Sequence, residues 1–234
     1  MAKYKDVSTY LEEDHYKNPK EYFKIFAEKI AKRKHHPIDF LDVGCATGSL
    51  INFLNHKYPN WNYSAVEPSK DMINIAKRNN KKANFYHTDI NKFVSKEKFD
   101  LISLFGVLGI FNFDEGKNII GKLIKMLKTN GELFILSNFN DYDVDVLINH
   151  RKYNKNRLGD IESGWNIYSK KTIGRILEKK RVSYKFYNFT MPFQIFKKKD
   201  PIRSWTIEIK DKRYLTNGLG LIISLKFLRI IKKS

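Results

Sequence analysis

The stretch Asp42-Val-Gly44-Cys-Ala-Thr-Gly48 has residue types and spacing that could do chemistry. Gly44 and Gly48 let the backbone turn sharply and approach a ligand with no Cβ in the way, and the free amides of a following helix favour a polar or anionic group. Their G-x-x-x-G spacing is not the G-x-G-x-x-G of dinucleotide sites, and no Gly-Lys-Ser/Thr follows as in a P-loop. NAD and ATP are thereby demoted as ligands. Glu67 lies 23 residues beyond Gly44, where a carboxylate closing the next strand can accept hydrogen bonds from both hydroxyls of a ribose. Cys45 is the only cysteine, so intramolecular disulfides and Cys-based zinc sites are excluded, and no metal site is expected. With no activating neighbour it reads as a small packed side chain, not a nucleophile.

Strands and helices must alternate to place these residues. Tyr22, Phe23, Phe26, Ala27, Ile30 and Ala31 recur at helical spacing over 21–34, ahead of a short buried strand at 39–43. A helix is expected at 49–57, a strand at 63–67, a helix at 70–79 with Ser69 as its N-cap, and strands at 84–89 and 99–106. An amphipathic helix over 114–128 should end at Thr129-Asn130-Gly131, with a strand at 132–139 directly after it. Helix 172–180 and strands 182–190 and 220–230 close the chain. This order predicts an α/β fold with an open, mostly parallel sheet, helices on both faces, and a ligand beyond the carboxyl ends of the strands. Segments 140–170 and 191–218 break the alternation and read as insertions that cover the site.

Composition bounds the rest. The 234 residues are 42% hydrophobic and 14% aromatic, which excludes wholesale disorder and repetitive classes. No Pro/Gly/Ser-rich linker divides them, so one domain over 1–234 is expected, with a helical segment (1–37) ahead of a core (38–139). The single cysteine and the lack of a signal-like start point to the cytoplasm, and no apolar run is long enough to span a bilayer. The formal charge is +19, and 22 Lys/Arg face only 9 Asp/Glu over 140–234. Such a field would draw anionic partners: a small anionic acceptor, nucleic acid, or acidic headgroups in a peripheral membrane contact.

At the glycine loop the chain resembles the class I S-adenosylmethionine-dependent methyltransferases, whose motif D-x-G-x-x-x-G ends the first strand. The likeness continues in order through Glu67, Asp89-Ile90 and Phe99-Asp-Leu-Ile-Ser-Leu-Phe-Gly106. It implies a Rossmann-like seven-stranded sheet with a reversed C-terminal hairpin, S-adenosylmethionine as donor and S-adenosylhomocysteine as product. By the same resemblance Asp42, Gly44, Cys45 and Gly48 form the donor loop, Glu67 takes the ribose, and Asp89 takes the adenine amino group beside the Ile90 amide. Met72 and Phe105 supply apolar walls, and the N-terminal segment with Tyr10 and Tyr16 folds over the donor, unless these two tyrosines are ordinary packing aromatics.

The acceptor side is expected in the segment after the fifth strand. Asp141, Tyr142, Arg151 and Trp165 are candidate substrate contacts, in the runs Asn138–Asp145, His150–Tyr153 and Glu162–Asn166. His150 is the candidate base, because an unperturbed imidazole titrates in the right range. Arg151, Lys152 and Arg157 could grip an anion. The Gly106-Val-Leu-Gly109 loop and the Gly164-Trp-Asn166 run look like methyltransferases of bacterial surface-polysaccharide pathways. That implies O-methylation of a sugar, a nucleotide-linked sugar, or a phosphate or phosphoramidate on one. Lys197, Lys199, Arg203, Lys210, Lys212 and Arg213, interleaved with Tyr187, Phe193, Phe196, Trp205 and Tyr214, support RNA methylation as the runner-up. A donor-binding protein without turnover is the non-enzymatic alternative.

Overall fold

The computed structural model describes residues 15–33, 36–154, 157–197 and 203–234. Helix α1 (Glu21–Lys29) precedes β1 (Asp39–Val43), α2 (Ser49–Lys57), β2 (Asn62–Glu67), α3 (Lys70–Asn79), β3 (Asn84–His87) and β4 (Phe99–Phe105). Then come α4 (Phe113–Met126), β5 (Leu127–Asn140), β6 (Asn149–Asn154), β7 (Arg157–Ser163), β8 (Tyr168–Ser169), α5 (Lys170–Glu178) and β9 (Val182–Asn188). Strands β10 (Trp205–Ile209), β11 (Lys212–Thr216), β12 (Ile222–Ile223) and β13 (Leu225–Lys232) complete the chain. The main sheet runs β3-β2-β1-β4-β5-β13-β9, and β8 adds a short eighth strand beside the end of β5. Pairing is parallel from β3 to β5, while β13 is antiparallel to both β5 and β9. The strand order reverses at β1, between β2 and β4, and the crevice for a ligand opens there.

Each face of this sheet is buried by its own helices. Phe23, Phe26 and Ala27 of α1 join Leu50, Ile51 and Leu54 of α2 and Ile73 and Ala76 of α3 in one core. Ile119, Ile120 and Leu123 of α4 pack with Ile173 and Leu177 of α5 on the opposite face. The central strands carry continuous apolar runs because both of their faces are covered. Phe26 meets Phe105 and Phe134 edge-on at 5.0 and 5.1 Å, anchoring α1 beneath the tip of β4.

Several boundaries differ from the sequence expectation, among them the last strand, which spans Leu225–Lys232 and not 220–230. Helix α1 stops at Lys29 and continues only as a 3-10 turn, Ala31–Arg33. Helix α4 ends at Met126, and Leu127 is already extended at φ −72°, ψ 144°. The Thr129-Asn130-Gly131 run therefore lies inside β5: Leu127 pairs with Phe99, and the register shifts before Leu101. Asn130 absorbs that shift in a left-handed conformation (φ 60°). The supposed cap is a bulge, because tertiary pairing with β4 overrides the local helix-ending signal. The two stretches expected as irregular insertions are ordered as β structure: a β6–β7 hairpin and a β10–β11–β12 sheet. Among the described residues no helix is long and apolar enough to cross a membrane.

At the far end of the sheet, buried Glu132 of β5 accepts from Arg229 of β13 at 2.7 and 2.9 Å and from Arg33 at 2.6 Å. Burial pushes the Glu132 carboxyl up, but the two guanidinium groups outweigh it and hold its pKa below the ordinary value. Stability from this cluster is therefore present above pH 4.5 and lost as pH falls through the folded-state pKa. Arg229→Ala should cost about 2 kcal/mol at pH 7, less than a fully buried pair because the Arg229 side chain is 31% exposed. Urea titrations at pH 7 and at pH 3 should show that deficit shrinking at the lower pH.

Candidate active site

The turn after β1 is built from left-handed residues. Gly44 and Gly48 sit at φ 74° and 79°, and Ala46 between them at 47°. Chain geometry requires both glycines. A Cβ on Gly44 would lie 2.4 Å from a Val107 methyl, and one on Gly48 would lie 2.9 Å from the Asn80 amide and 3.0 Å from the Ala76 Cβ. Gly48 thus seats the loop on α3, and Gly44 seats it against the loop after β4.

Glu67, at the end of β2, is buried and faces this turn. Its two carboxylate oxygens accept from the Ala46 and Ser69 amides, each at 2.9 Å. Each oxygen keeps a further acceptor position. Asp42 is buried at the end of β1, where the Ser103 hydroxyl donates to it at 2.6 Å. Burial is the main reason the Asp42 carboxyl is pushed up to about 7, and the Glu67 charge adds to it. Burial also raises Glu67, with the two amide hydrogen bonds opposing. The Cys45 thiol is driven well above its ordinary value by burial and by both carboxylates, which makes it a poor nucleophile.

These groups line a cavity of about 1080 Å³ at the carboxyl edge of β1, β2 and β4. Asp42, Gly44, Cys45, Glu67, Met72, Asp89, Ile90 and Phe105 all reach it. Gly48 supports the loop from behind. Asp89 accepts from the Asn91 amide at 2.7 Å, while Lys122 donates to the Ile90 and Asn91 carbonyls at 2.7 and 2.8 Å and pins that turn to α4. Tyr16 donates to the Thr47 carbonyl of the glycine loop, and its neighbours His15 and Lys20 line the cavity. Tyr10 lies outside the described residues.

The far wall holds residues that sequence reasoning passed over or quoted only in runs: Phe111, Asn112 and Glu115 at the start of α4, and Asn149, Asp160, Ile161, Glu162 and Ser163 on the β6–β7 hairpin. Asn112 and Glu115 form a capping box, with Glu115 N–H donating at 3.0 Å and Asn112 N–H at 3.2 Å, and the Asn-x-x-Glu spacing was a readable signal. The hairpin residues carried none, since cross-strand register brings them in. Buried Asn166 ties the hairpin to the loop after β4. It donates to the Gly109 carbonyl at 2.8 Å through its backbone and to the Phe111 carbonyl at 2.9 Å through its side chain, and it accepts from the Ile148 amide at 2.8 Å.

The five acceptor-side candidates do not line this cavity. Exposed Asp141 pairs with Lys170 and with buried Lys226, and the Lys170 hydrogen bond holds its pKa low. It belongs to an acidic turn that anchors the start of α5, where Asp145 accepts from the Ser169 amide at 2.5 Å and the Thr172 hydroxyl at 2.7 Å. Tyr142 is 79% exposed and Arg151 is also exposed. Trp165, left-handed at φ 65°, packs against the α1–α3 core. His150 lies behind Glu162, with Nε2 3.9 Å from a carboxylate oxygen and Nδ1 buried with no hydrogen-bond partner among the described residues. The side chains of Lys152 and Arg157 are outside the described ones. No described residue of 191–218 lines the cavity.

Among the described lining residues six are carboxylates: Asp42, Glu67, Asp89, Glu115, Asp160 and Glu162. Only Lys20 and Lys92 are permanent cations. A basic chain thus encloses an acidic cavity, suited to a cationic or hydroxyl-rich ligand.

A family model described as a methyltransferase domain matches residues 14–180. An uncharacterized protein of Methanocaldococcus jannaschii is 31% identical over 181 residues, 74% of this chain and 65% of that protein. Malonyl-[acyl-carrier protein] O-methyltransferase 2 of Ilyobacter polytropus is 27% identical over 145 residues, 61% of this chain and 54% of that enzyme. The chain therefore spans between about half and two thirds of these curated relatives. A solved S-adenosylmethionine-dependent methyltransferase from Clostridium acetobutylicum shares the fold, with a TM-score of 0.61 at 16% identity over 98% of this chain and 96% of that one.

The raised Asp42 carboxyl has a measurable cost. Unfolding returns it to about 3.8, so the stability its protonated form contributes is complete below that pH and lost as pH rises through about 7. Asp42→Asn should stabilise the ligand-free protein by roughly 2–4 kcal/mol at pH 8 and by little at pH 4. Thermal unfolding across that range checks it; a gain that did not vary with pH would contradict the assignment.

Proposed function

The chain belongs to the methyltransferase-domain family, and we propose that it transfers the methyl group of S-adenosylmethionine to a small hydroxyl-bearing acceptor held under the β6–β7 hairpin. The observation that carries this reading is the buried Glu67 carboxylate facing the glycine turn at the point where strand order reverses. When bound, the donor supplies an electrophilic methyl on a sulfonium.

The chain's residues fit that donor. Glu67 keeps acceptor positions for the two ribose hydroxyls, and the left-handed turn at Gly44 leaves its backbone open to the amino-acid end. Asp89 and the Ile90 amide serve the adenine edge, with Met72 and Phe105 as apolar walls. Asp42, Glu67 and Asp89 give the site the negative potential that a cation prefers. The protein's main catalytic contribution is alignment of acceptor and methyl in a pocket that the hairpin walls on one side.

The acidic wall favours a neutral or cationic acceptor over an anionic one. Asn149, Asp160, Glu162 and Ser163 suit sugar hydroxyls, which keeps a neutral carbohydrate as the first reading and gives no support to the anionic alternatives, a nucleotide-linked sugar or a phosphate or phosphoramidate oxygen. Glu162, not His150, stands where it can take the acceptor's proton. RNA methylation loses its main support because no described residue of the basic, aromatic second insertion lines the cavity.

Calorimetry should detect S-adenosylhomocysteine binding, and Glu67→Ala should weaken it by about 100-fold, the equivalent of two lost charge-assisted hydrogen bonds. No heat with folded wild-type protein would overturn the proposal. Incubation with methyl-labelled donor and extracted surface glycan, sugar nucleotides or total RNA should place label in a sugar-bearing pool. Glu162→Gln should depress kcat with little change in donor affinity. Label in RNA alone would move the assignment to the runner-up, and donor binding without transfer to any pool would favour the non-enzymatic alternative.

A further inference from the structure

The second insertion leaves much of one face of its own sheet exposed, although Thr216 on that face is buried and Trp205 and Ile207 are partly so. Pairing sorts its side chains: Thr206 lies opposite Leu215, and Leu215 opposite Ile223, and all three are buried. Residues of the other parity turn to the opposite face: Trp205, Ile207 and Ile209 on β10, with Tyr214 and Lys212 across from them on β11, and Ile222 on β12. Ile209 is 44% exposed and Ile222 49%. Phe196, in the segment that runs into this sheet, is 74% exposed.

Cations rim this apolar face. Lys210 and Asp211 turn the β10–β11 hairpin through two left-handed residues (φ 48° and 59°), the tight turn that matches strand twist. The turn sets exposed Lys210 and Lys212 beside Ile209 at the hairpin tip. The Lys197 ammonium lies 5.5 Å from the Trp205 ring. Residues 191–223 carry seven Lys/Arg against three Asp/Glu.

We infer that this face docks on an anionic phospholipid bilayer, with Phe196, Ile209 and Ile222 entering the headgroup–acyl boundary and Lys197, Lys210 and Lys212 meeting headgroup phosphates. Large apolar side chains and lysines on one surface supply the two signals that stable peripheral binding needs. An RNA partner fits less well: Trp205 and Tyr214 could stack on bases, but Ile207, Ile209 and Ile222 between and beside them could not, and Arg213 points to the other face, paired with Glu208 at 3.2 Å. A second copy of this chain seated here would set two lysine rims against each other.

Vesicle flotation of the whole chain tests the inference without reference to the methyl-transfer reading. The protein should float with phosphatidylcholine vesicles containing phosphatidylglycerol and stay behind with phosphatidylcholine alone. Added salt should release it. Lys210→Gln with Lys212→Gln should lower partitioning about thirtyfold, and Ile209→Ser with Ile222→Ser about tenfold. Both pairs are solvent-exposed, and an unchanged near-ultraviolet circular dichroism spectrum confirms the fold. Three results would overturn the inference: no flotation, or flotation indifferent to phosphatidylglycerol; retention on total RNA that the lysine pair abolishes and the isoleucine pair leaves intact; and a dimer in sedimentation that the isoleucine pair dissolves.

Discussion

Two carboxylates share one buried corner of this protein, and the surrounding structure is arranged to tolerate them. Asp42 and Glu67 end adjacent parallel strands, out of water, and near enough that the Glu67 charge adds to the cost of ionising Asp42. Glu67 is accommodated because the chain bends back to offer it two amides, and one of these, from Ala46, is available only because Ala46 and its flanking glycines adopt left-handed conformations. The glycine turn and the acid are thus one device. Replacing either part would leave the other without its partner, with an unpaired buried charge or a strained loop around nothing.

Supports for this device come from distant parts of the chain. Ser103 of β4 satisfies Asp42, Tyr16 ahead of α1 holds the Thr47 carbonyl, and Lys122 of α4 clamps the Ile90–Asn91 turn. Asn166 then fastens the β6–β7 hairpin over the opening. Rigid elements thus converge on the cavity from both faces of the sheet, and preorganisation of this kind is what alignment-based catalysis needs.

Charge is divided by location. The chain as a whole is strongly basic, yet the cavity wall is mostly carboxylate. Net charge describes the long-range field that meets a large anionic partner; it does not describe the few ångströms around a small ligand. An anionic acceptor was a fair expectation from composition, and the cavity argues against it because its acids come from five separate elements and loops whose convergence composition does not encode.

Read as sequence, the chain specified whatever depends on local periodicity. Strand and helix order from α1 to β5, the apolar faces of α1 to α4, the sharp glycine turn and an acid at the end of β2 all follow from side-chain spacing and backbone sterics within a few residues. Ser69 as N-cap belongs to the same class. Tertiary structure decided what depends on pairing across long separations: that Thr129–Gly131 is a bulge against β4 and not a helix cap, that the acidic turn at Asp141 anchors α5, and that His150 stands behind Glu162. It also decided that hairpin residues 160–163 form one wall of the cavity. In a strand, one step of register turns a side chain to the other face, and that register is set by partners the local sequence does not contain.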